Sequence, residues 1–347
     1  MLLGGSSVMT QKIISFILLL ALVCLTGLPF AGCGYGGDIR VTMSEEAFGT
    51  ILTFSLYGSD RDTLEQLGKD LERECARLEK IFSFELKDSE LSKVNALAAK
   101  EPVSVSEDLY SVLKTSLDVS IQSEHAFDIR IGRLIELWHV ETNEGIVPDR
   151  SEIELCMTDE MPDFVLDDKN RTVFFPDPRI KLHLGAVAKG YLGECLGSIV
   201  KAAGCRAILN LGGNIQPVGL KNGKDLWHLA VTDPFDTVGL FADFDVGEMA
   251  VVTSGAYARF FMSGGVRYHH ILDPHTGYPS DSDLESVTII GPRGSICDAL
   301  STACFVLGSE NAEKLLKSYE NYEYLLIRHD GTWSQSEGSV VFEVHHE

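Results

Sequence analysis

The sequence predicts one α+β domain over residues 46–347, in which helices pack on a largely antiparallel sheet. Strand-like runs and helical patterns follow each other without the regular alternation that βαβ units produce. No internal repeat, low-complexity run or Pro/Ser-rich linker occurs after residue 37. The 347 residues are 45% hydrophobic and 23% charged, which is typical of a globular chain. These observations favour a single domain over two.

The first 32 residues have the pattern of an export signal. Lys12 is the only charged side chain among them, and the stretch 13–30 consists of apolar or small residues. A basic start, a Leu-rich segment and small residues at its end indicate a signal that is cleaved. A stretch of this length is also about enough to span a bilayer, so an uncleaved anchor is the alternative.

The signal ends in Phe30-Ala31-Gly32-Cys33, which resembles the lipobox of bacterial lipoproteins. Phe30 departs from that motif, because Leu is usual at its position. The resemblance implies cleavage before Cys33 and lipidation of its thiol. Residues 33–45 would then tether the domain to the extracytoplasmic face of the cell membrane, since more than one acyl chain anchors stably.

The remaining cysteines are interpreted as small core residues. Export normally invites disulfides, but these side chains lie on predicted apolar helix faces or strands, where a free thiol packs as a hydrophobe. None of them forms a CxxC pair, which excludes a zinc ribbon. We expect free thiols at Cys75, Cys156, Cys195, Cys205, Cys297 and Cys304.

The charge of the chain excludes one class of partner. There are 29 basic and 51 acidic residues, which give a formal charge of −22. An acidic chain repels nucleic-acid phosphates and anionic lipid surfaces. A small phosphorylated ligand remains compatible with it, because a bound divalent cation reverses the local field.

The N-terminal half of the domain begins with a strand and a long amphipathic helix. Residues 47–57 are rich in aromatic and β-branched side chains, which favour a strand. Leucines repeat at helical spacing over 63–82, and Ser89 is a plausible cap for the short helix that follows. The further predictions are a helix over 107–123, a helix or loop over 150–159, and two short strands within 163–181.

The C-terminal half contains two helices among short strands. One helix runs from about Gly185 to Gly204 with apolar residues at core spacing. The other begins at Ser295 as N-cap and ends at Gly308, which is a usual C-terminal signal. The predicted strands cover 207–211, 215–218, 227–231, 238–245, 249–253, 284–290 and 324–327.

Two segments carry candidate chemistry. Asp298 and Thr302 are four residues apart and share one face of a helix, where a carboxylate and a hydroxyl suit Mg²⁺ bound beside a phosphate. The start of the helix near Gly185 offers free N–H groups to an anion, with Lys189 as an added charge. It is not a Walker loop, because Lys189 precedes the last glycine. The alternatives are a solvated acid, a hydroxyl bonded to its own helix, and a tight helix–strand junction.

Taken in order, these motifs resemble the FAD:protein FMN transferase (ApbE) family of bacterial lipoproteins. The resemblance covers about residues 46–327, and the ordered set is far more specific than any single motif. Its C-terminal motifs are Leu184-Gly185-Ala186-Val187-Ala188-Lys189-Gly190, Asn210-Leu211-Gly212-Gly213, Thr253-Ser254-Gly255, His270-Ile271-Leu272-Asp273-Pro274 with Thr276-Gly277, and Asp298-Ala299-Leu300-Ser301-Thr302. Its N-terminal motifs are Phe48-Gly49-Thr50, Asp88-Ser89-Glu90-Leu91-Ser92 and Ala126-Phe127-Asp128.

The resemblance implies an activity. The family transfers the FMN moiety of FAD to a threonine hydroxyl of a partner flavoprotein and releases AMP. We expect that partner to be a membrane-associated redox protein. Phosphoryl transfer depends on positioning and on neutralising the phosphate oxygens, and the family uses Mg²⁺ for the second task.

The resemblance also implies site residues. Mg²⁺ would be held by Asp298, Thr302 and the backbone carbonyl oxygen of Ala186. His270 is the candidate base for the threonine proton, and His269 is the less favoured neighbour. An orienting role for His270, or a zinc cluster of His269, His270 and His275, is the alternative. The implied FAD contacts are Phe48, Ala126, Phe127, Asp128, His183, Lys189 and Leu272.

The sequence departs from the family pattern on the flavin side. His183 stands where Asp is usual, His125 where Gly is usual, Arg130 where Thr is usual and Arg133 where Pro is usual. The metal positions are unchanged. Two further hypotheses follow: a Mg²⁺-dependent FAD pyrophosphatase that yields FMN and AMP, and a non-catalytic flavin-binding lipoprotein.

Overall fold

The computed structural model describes residues 38–140, 142, 145–158, 161–236 and 238–345. The predicted export signal and the lipidation site Cys33 lie outside these ranges. Among the helices of the described part, none is both long and apolar enough to cross a membrane.

The described strands alternate irregularly with seven described helices. The strands are β1 (Ile39–Ala47), β2 (Thr50–Gly58), β3 (Val103–Ser104), β4 (Val165–Asp167), β5 (Thr172–Phe174), β6 (Arg206–Leu211), β7 (Asn214–Val218), β8 (Trp227–Thr232), β9 (Leu240–Val246), β10 (Ala250–Gly255), β11 (Phe260–Ser263), β12 (Val266–His269), β13 (Leu284–Gly291), β14 (Glu323–Arg328), β15 (Trp333–Gln335) and β16 (Glu343–Val344). The helices are α1 (Arg61–Phe82), α2 (Glu90–Leu97), α3 (Glu107–Gln122), α4 (Gly132–Trp138), α5 (Arg150–Cys156), α6 (Ala188–Ala202) and α7 (Gly294–Leu316).

The first hairpin corrects two predictions. Residues 39–45, which we assigned to the tether, belong to β1, and β1 pairs with β2 along its whole length. The predicted strand over 47–57 therefore includes the hairpin turn, where Phe48 and Gly49 have φ of 54° and 66°. The strand was missed because β1 alternates between half-buried and exposed residues and buries only two side chains, which gives little hydrophobic signal.

Eight strands form one sheet in the order β1-β2-β6-β7-β10-β13-β14-β15. Every neighbouring pair in it is antiparallel, which confirms the predicted α+β class. One face of the sheet packs on α1, α6 and α7 through a large core, and α3 packs on α1 and α7. The other face packs on the small sheet β16-β9-β8 through Trp227, Phe241, Phe244 and their neighbours. The central strand β13 is consequently buried along its whole length.

Helix α1 shows why local prediction worked in this part of the chain. Its leucines Leu64, Leu71 and Leu78 are completely buried, as the seven-residue spacing predicts. Asp60 caps its start by accepting a 2.8 Å hydrogen bond from the Thr63 N–H group. The predicted cap Ser89 likewise accepts from the Ser92 N–H group at the start of α2.

Helix α7 corrects a predicted start and confirms a predicted end. Its N-cap is Arg293, so Ser295 already lies in the first turn. Gly308 has φ 75° and ψ 166°, which is not helical, so the first helical segment ends there and a second one follows to Leu316. A glycine tolerates this left-handed conformation, as its role as a C-terminal signal predicts. All six described cysteines are free thiols, as predicted.

Candidate active site

The starts of α6 and α7 meet at two glycines. A Cβ atom on Gly190 would lie 2.1 Å from the carbonyl oxygen of Gly294, and one on Gly294 would lie 2.5 Å from that of Gly190. Neither helix tolerates a side chain here, because such distances are far inside van der Waals contact. The two helix starts can therefore approach each other at backbone distance.

This approach brings Asp298 to the start of α6. The Gly190 N–H group donates a 2.9 Å hydrogen bond to Asp298 Oδ2, and Asp298 is only 4% exposed. A carboxylate is stabilised at a helix N-terminus by the free N–H groups and the positive end of the dipole. This hydrogen bond brings the two predicted phosphate-binding segments together, although the two bonded residues are 108 positions apart in the sequence.

The other two predicted metal ligands lie on the same segments. Thr302 follows Asp298 by one turn of α7 and is half-buried, and Ala186 is half-buried in the turn that leads into α6. Ser301 lies between Asp298 and Thr302 on α7. It is fully buried and is hydrogen-bonded to Ser254 of β10 at 2.8 Å. This contact ties α7 to the sheet and gives a structural role to Ser254 of the Thr253-Ser254-Gly255 motif.

The chemistry of the donors fits Mg²⁺. Asp298 supplies a carboxylate that can accept several contacts, and the Gly190 hydrogen bond uses one of them. A hydroxyl and a backbone carbonyl complete a set of hard oxygen donors. Within the described ranges no group of three or more His, Cys, Asp or Glu side chains is placed to hold a metal alone. The remaining ligands would have to come from a diphosphate and water.

The contacts of His270 define which of its ring nitrogens carries the proton. Its Nδ1 lies 3.2 Å from the carbonyl oxygen of Arg259, which can only accept, so Nδ1 carries the proton. The backbone N–H group of His270 donates to the same oxygen at 3.1 Å. Burial, followed by the charge of Arg259, lowers the pKa of His270 to about 3. The imidazole is therefore neutral at physiological pH, with Nε2 as its acceptor.

His269 has a structural role. Its Nε2 faces the Ser280 carbonyl oxygen at 3.0 Å, and its Nδ1 accepts from the Ile271 N–H group. Both nitrogens are used and the side chain is 6% exposed. The zinc alternative with His269, His270 and His275 is therefore wrong.

The charge of Lys189 acts on both His270 and His183, a predicted flavin contact. The Lys189 ammonium donates to the Gly185 carbonyl oxygen at 3.0 Å. Burial and then the charge of Lys189 lower the pKa of His183 to about 4, and the same charge contributes to the lowered pKa of His270. His183 also packs edge-on against Phe84 at 4.9 Å. Lys189 therefore lies within electrostatic reach of both histidines.

The turn at Phe48 approaches the same region. The Phe48 N–H group donates to Glu79 Oε1 at 2.9 Å, and Phe48 is half-buried against the main core. Next to it, the Arg259 guanidinium donates to the Gly49 carbonyl oxygen at 3.5 Å. Arg259 thus connects this hairpin turn with the loop that holds His270.

The remaining flavin-side positions are more deeply buried than expected of ligand contacts. Ala126 and Phe127 are each 2% exposed, and Leu272 is 3% exposed in a cluster with Leu134 and Trp138. Such side chains contribute to the core, so only their backbone groups or a small exposed edge can reach a ligand. The predicted contacts at these positions stay predictions.

Asp128 forms a buried ion pair with Arg130, one of the residues that depart from the family pattern. Arg130 Nε donates to both carboxylate oxygens at 3.0 Å, and Nη2 donates to Oδ2 at 2.8 Å. The two side chains are 3% and 1% exposed. Arg130 Nη1 also donates to the Met161 carbonyl oxygen at 2.7 Å. The Asp128 charge is therefore neutralised within the protein.

A sequence profile of the ApbE family matches residues 48–326. The chain belongs to the ApbE family. A protein of Treponema pallidum (strain Nichols) named FAD:protein FMN transferase is 34% identical over 337 residues, covering 89% of this chain and 91% of the relative. A Klebsiella pneumoniae (strain 342) protein of the same name is 31% identical over 294 residues, covering 84% of this chain and 90% of the relative.

Solved ApbE structures agree with the fold. The ApbE protein from Thermotoga maritima aligns with a TM-score of 0.78 at 31% identity, covering 86% of this chain and 97% of that chain. The flavin transferase ApbE from Vibrio cholerae aligns with a TM-score of 0.75 at 24% identity, covering 87% and 98%. The second likeness is evidence for the fold alone.

Three residues of this ApbE-family site were missed from the sequence. Arg259 supplies the carbonyl oxygen that orients His270, and no local pattern distinguishes it. Gly294 makes the glycine contact with Gly190, and its only signal was its place at a helix start. Glu194 bonds the first turn of α7 from α6, a long-range contact that helical spacing does not reveal.

Proposed function

We propose that this chain is an FAD:protein FMN transferase, which moves the FMN moiety of FAD onto a protein hydroxyl and releases AMP. The observation that carries the proposal is the hydrogen bond between Gly190 and Asp298, which joins the two segments predicted to bind phosphate. The names of the relatives support it. Lys189, in the first turn of α6, lies within electrostatic reach of the neutral His270.

The phosphate side of the site would hold the diphosphate of FAD. Asp298, Thr302 and the carbonyl oxygen of Ala186 are the residues that would bind Mg²⁺. Neutralisation of charge on the diphosphate and on the departing AMP is the chemistry that a bound Mg²⁺ supplies. Lys189 and the start of α6 add positive potential to the same place.

His270 would remove the proton of the acceptor hydroxyl through Nε2. The hydroxyl oxygen then forms a bond to the phosphorus of the FMN moiety, and the bond from that phosphorus to the bridging oxygen breaks, which leaves AMP. The acceptor is proposed to be a threonine of a flavoprotein, since a hydroxyl needs a neighbouring base to react. The lowered pKa of His270 keeps the imidazole neutral at physiological pH, so the Nε2 lone pair is available to accept a hydrogen bond from the hydroxyl.

We further propose that the protein is anchored by lipid at Cys33 on the extracytoplasmic face of the membrane. The lipobox-like ending of the export signal supports this. Replacing Cys33→Ser should move the protein from the membrane fraction to the soluble fraction and abolish incorporation of labelled palmitate. Retention in the membrane without label would favour an uncleaved anchor instead.

The function is tested by incubating the full chain with FAD, Mg²⁺ and an acceptor flavoprotein. The expected result is covalent FMN on one acceptor threonine, seen by mass spectrometry, with one AMP released per FMN attached. AMP released at the same rate without acceptor would identify a pyrophosphatase. FAD binding without AMP release would identify a flavin-binding protein.

A further inference from the structure

The helix starts of α6 and α7 exchange carboxylates. Asp298 of α7 accepts from the Gly190 N–H group of α6. In the other direction, Glu194 of α6 accepts from the Ser295 N–H group of α7 at 2.8 Å and from the Ser295 hydroxyl at 2.7 Å. Each helix therefore caps the free N–H groups of the other, instead of using a cap from its own preceding residue.

The exchange fixes the geometry of the metal-side carboxylate. Ser295 and Asp298 lie on adjacent turns of α7, three residues apart, so they share a face. A contact that holds Ser295 against α6 consequently sets how Asp298 faces Gly190. The glycine pair leaves no side chain between the helices that could set this distance by packing.

The Glu194 contact is itself supported. Arg293 Nε lies 3.9 Å from Glu194, and Arg293 Nη2 donates to the Ser295 hydroxyl at 3.3 Å and to the Thr115 hydroxyl of α3 at 3.2 Å. Thr115 is 8% exposed and belongs to a packed helix. The carboxylate thus stands in a network that begins in the rigid part of the fold.

We propose that Glu194 is a positioning residue for Asp298, and that it determines the affinity of the site for its divalent ion. This inference rests on the proposed function, because it assigns the Asp298 carboxylate to the metal. Partners that orient a ligand typically change metal affinity by about ten- to a hundredfold when they are removed. A cap that served folding alone would change the melting temperature and leave that affinity unaltered.

The test measures Mn²⁺ binding to the full chain by electron paramagnetic resonance, with FAD present. Glu194→Ala is expected to weaken Mn²⁺ binding about tenfold. Glu194→Gln should bind within about threefold of the wild type, because the amide oxygen can accept the same two hydrogen bonds. Glu313→Ala is the matched control, since Glu313 also accepts from a serine hydroxyl, Ser334, but near the other end of α7. It should bind Mn²⁺ like the wild type.

Equal Mn²⁺ affinity in the wild type and Glu194→Ala, with a lowered melting temperature in the variant, would overturn the inference while the proposed function stands. If Glu194→Ala does not fold, Glu194→Asp replaces it. That variant keeps the charge but withdraws the carboxylate by one methylene, so it should also lose affinity, and unchanged affinity would overturn the inference. A wild-type protein that transfers FMN but binds no Mn²⁺ with FAD would reject the metal role of Asp298 itself.

Discussion

The proposed phosphate side and the proposed flavin side of the site are built in different ways. The proposed phosphate side, formed by the start of α6 with Asp298 and Thr302, relies on backbone N–H groups and a glycine contact between helices. The proposed flavin side, formed by residues 125–130 with His183, contains a buried ion pair between Asp128 and Arg130. The first region therefore presents polar groups to a ligand, whereas the second uses its charges within the protein.

The pairing of opposite charges explains why Asp128 and Arg130 can both be buried. A buried carboxylate without a partner is costly, and removing one member of a buried pair leaves the other unpaired. The Asp128 carboxylate can therefore stay buried, because Arg130 neutralises its charge. His125 joins the same group, because Arg130 Nη2 donates to its Nδ1 at 3.2 Å. The backbone of His125 has φ 65°, a left-handed conformation that favours glycine.

The largest effect is expected from removing the Asp298 carboxylate on the proposed phosphate side. Asp298→Ala should lower the rate of FMN transfer about a thousandfold, since a metal supplies several kcal/mol of charge stabilisation. Asp298→Asn should be similarly inactive, although its amide oxygen can still cap Gly190. The two rates are measured by AMP release and by acceptor mass, and melting curves check the fold. An active Asp298→Asn protein would show that the carboxylate serves only as a cap.

The second effect breaks the flavin side through stability. Arg130→Thr should lower the free energy of unfolding by about 3–5 kcal/mol, because the charge of Asp128 is then left buried and unpaired. The double variant Asp128→Asn, Arg130→Thr should recover part of this loss. Urea denaturation monitored by circular dichroism measures both. A loss below about 1 kcal/mol for Arg130→Thr would mean that the ion pair does not hold this half together.

A smaller effect sharpens the account of the helix contact. Gly190→Ala should lower the free energy of unfolding by about 1–3 kcal/mol, because its methyl group would overlap the Gly294 carbonyl oxygen and force the helices apart. Gly197→Ala in the same helix is the control. Its methyl group would stand 3.5 Å from Val218 Cγ2, an ordinary contact, and alanine favours a helix. Equal stability of the two variants would contradict the proposed approach of the helices.

The smallest effect concerns pH. The pKa of His270 is lowered to about 3, below its value of about 6.5 in an unfolded chain. The unfolded state therefore binds more protons between these two values. The stability due to the neutral imidazole is fully present above pH 6.5 and is lost as pH falls towards 3.

Wild-type protein should accordingly lose about 1 kcal/mol more than His270→Asn between pH 6.5 and 5.5. Urea denaturation at these two pH values measures the difference. Parallel loss in both proteins would show that His270 titrates normally and is not held neutral by burial.

The sequence was most informative where neighbours along the chain decide the structure. The periodic leucines of α1 and the cap at Ser89 depend on residues within one or two turns, and both predictions are confirmed. The antiparallel α+β class followed from the irregular order of strands and helices, and the structure bears it out.

The prediction failed where a distant residue takes over a local task. Ser295 was expected to cap α7, but Arg293 occupies that position and Ser295 bonds Glu194 of another helix. The departure at Arg130 was visible in the sequence, but its partner was not, because an Asp–x–Arg spacing permits both a solvated pair and a buried one. The exposed fractions of the two side chains, 3% and 1%, identify a buried pair.

We propose that Asp298 and the start of α6 bind one FAD diphosphate together. Crystals of the protein grown with FAD and Mn²⁺ test it most directly through the anomalous signal of Mn²⁺. We expect one Mn²⁺ ion bound to the Asp298 carboxylate and to a diphosphate oxygen beside Gly190. An ion bound away from Asp298, or a diphosphate bound away from α6, would contradict it.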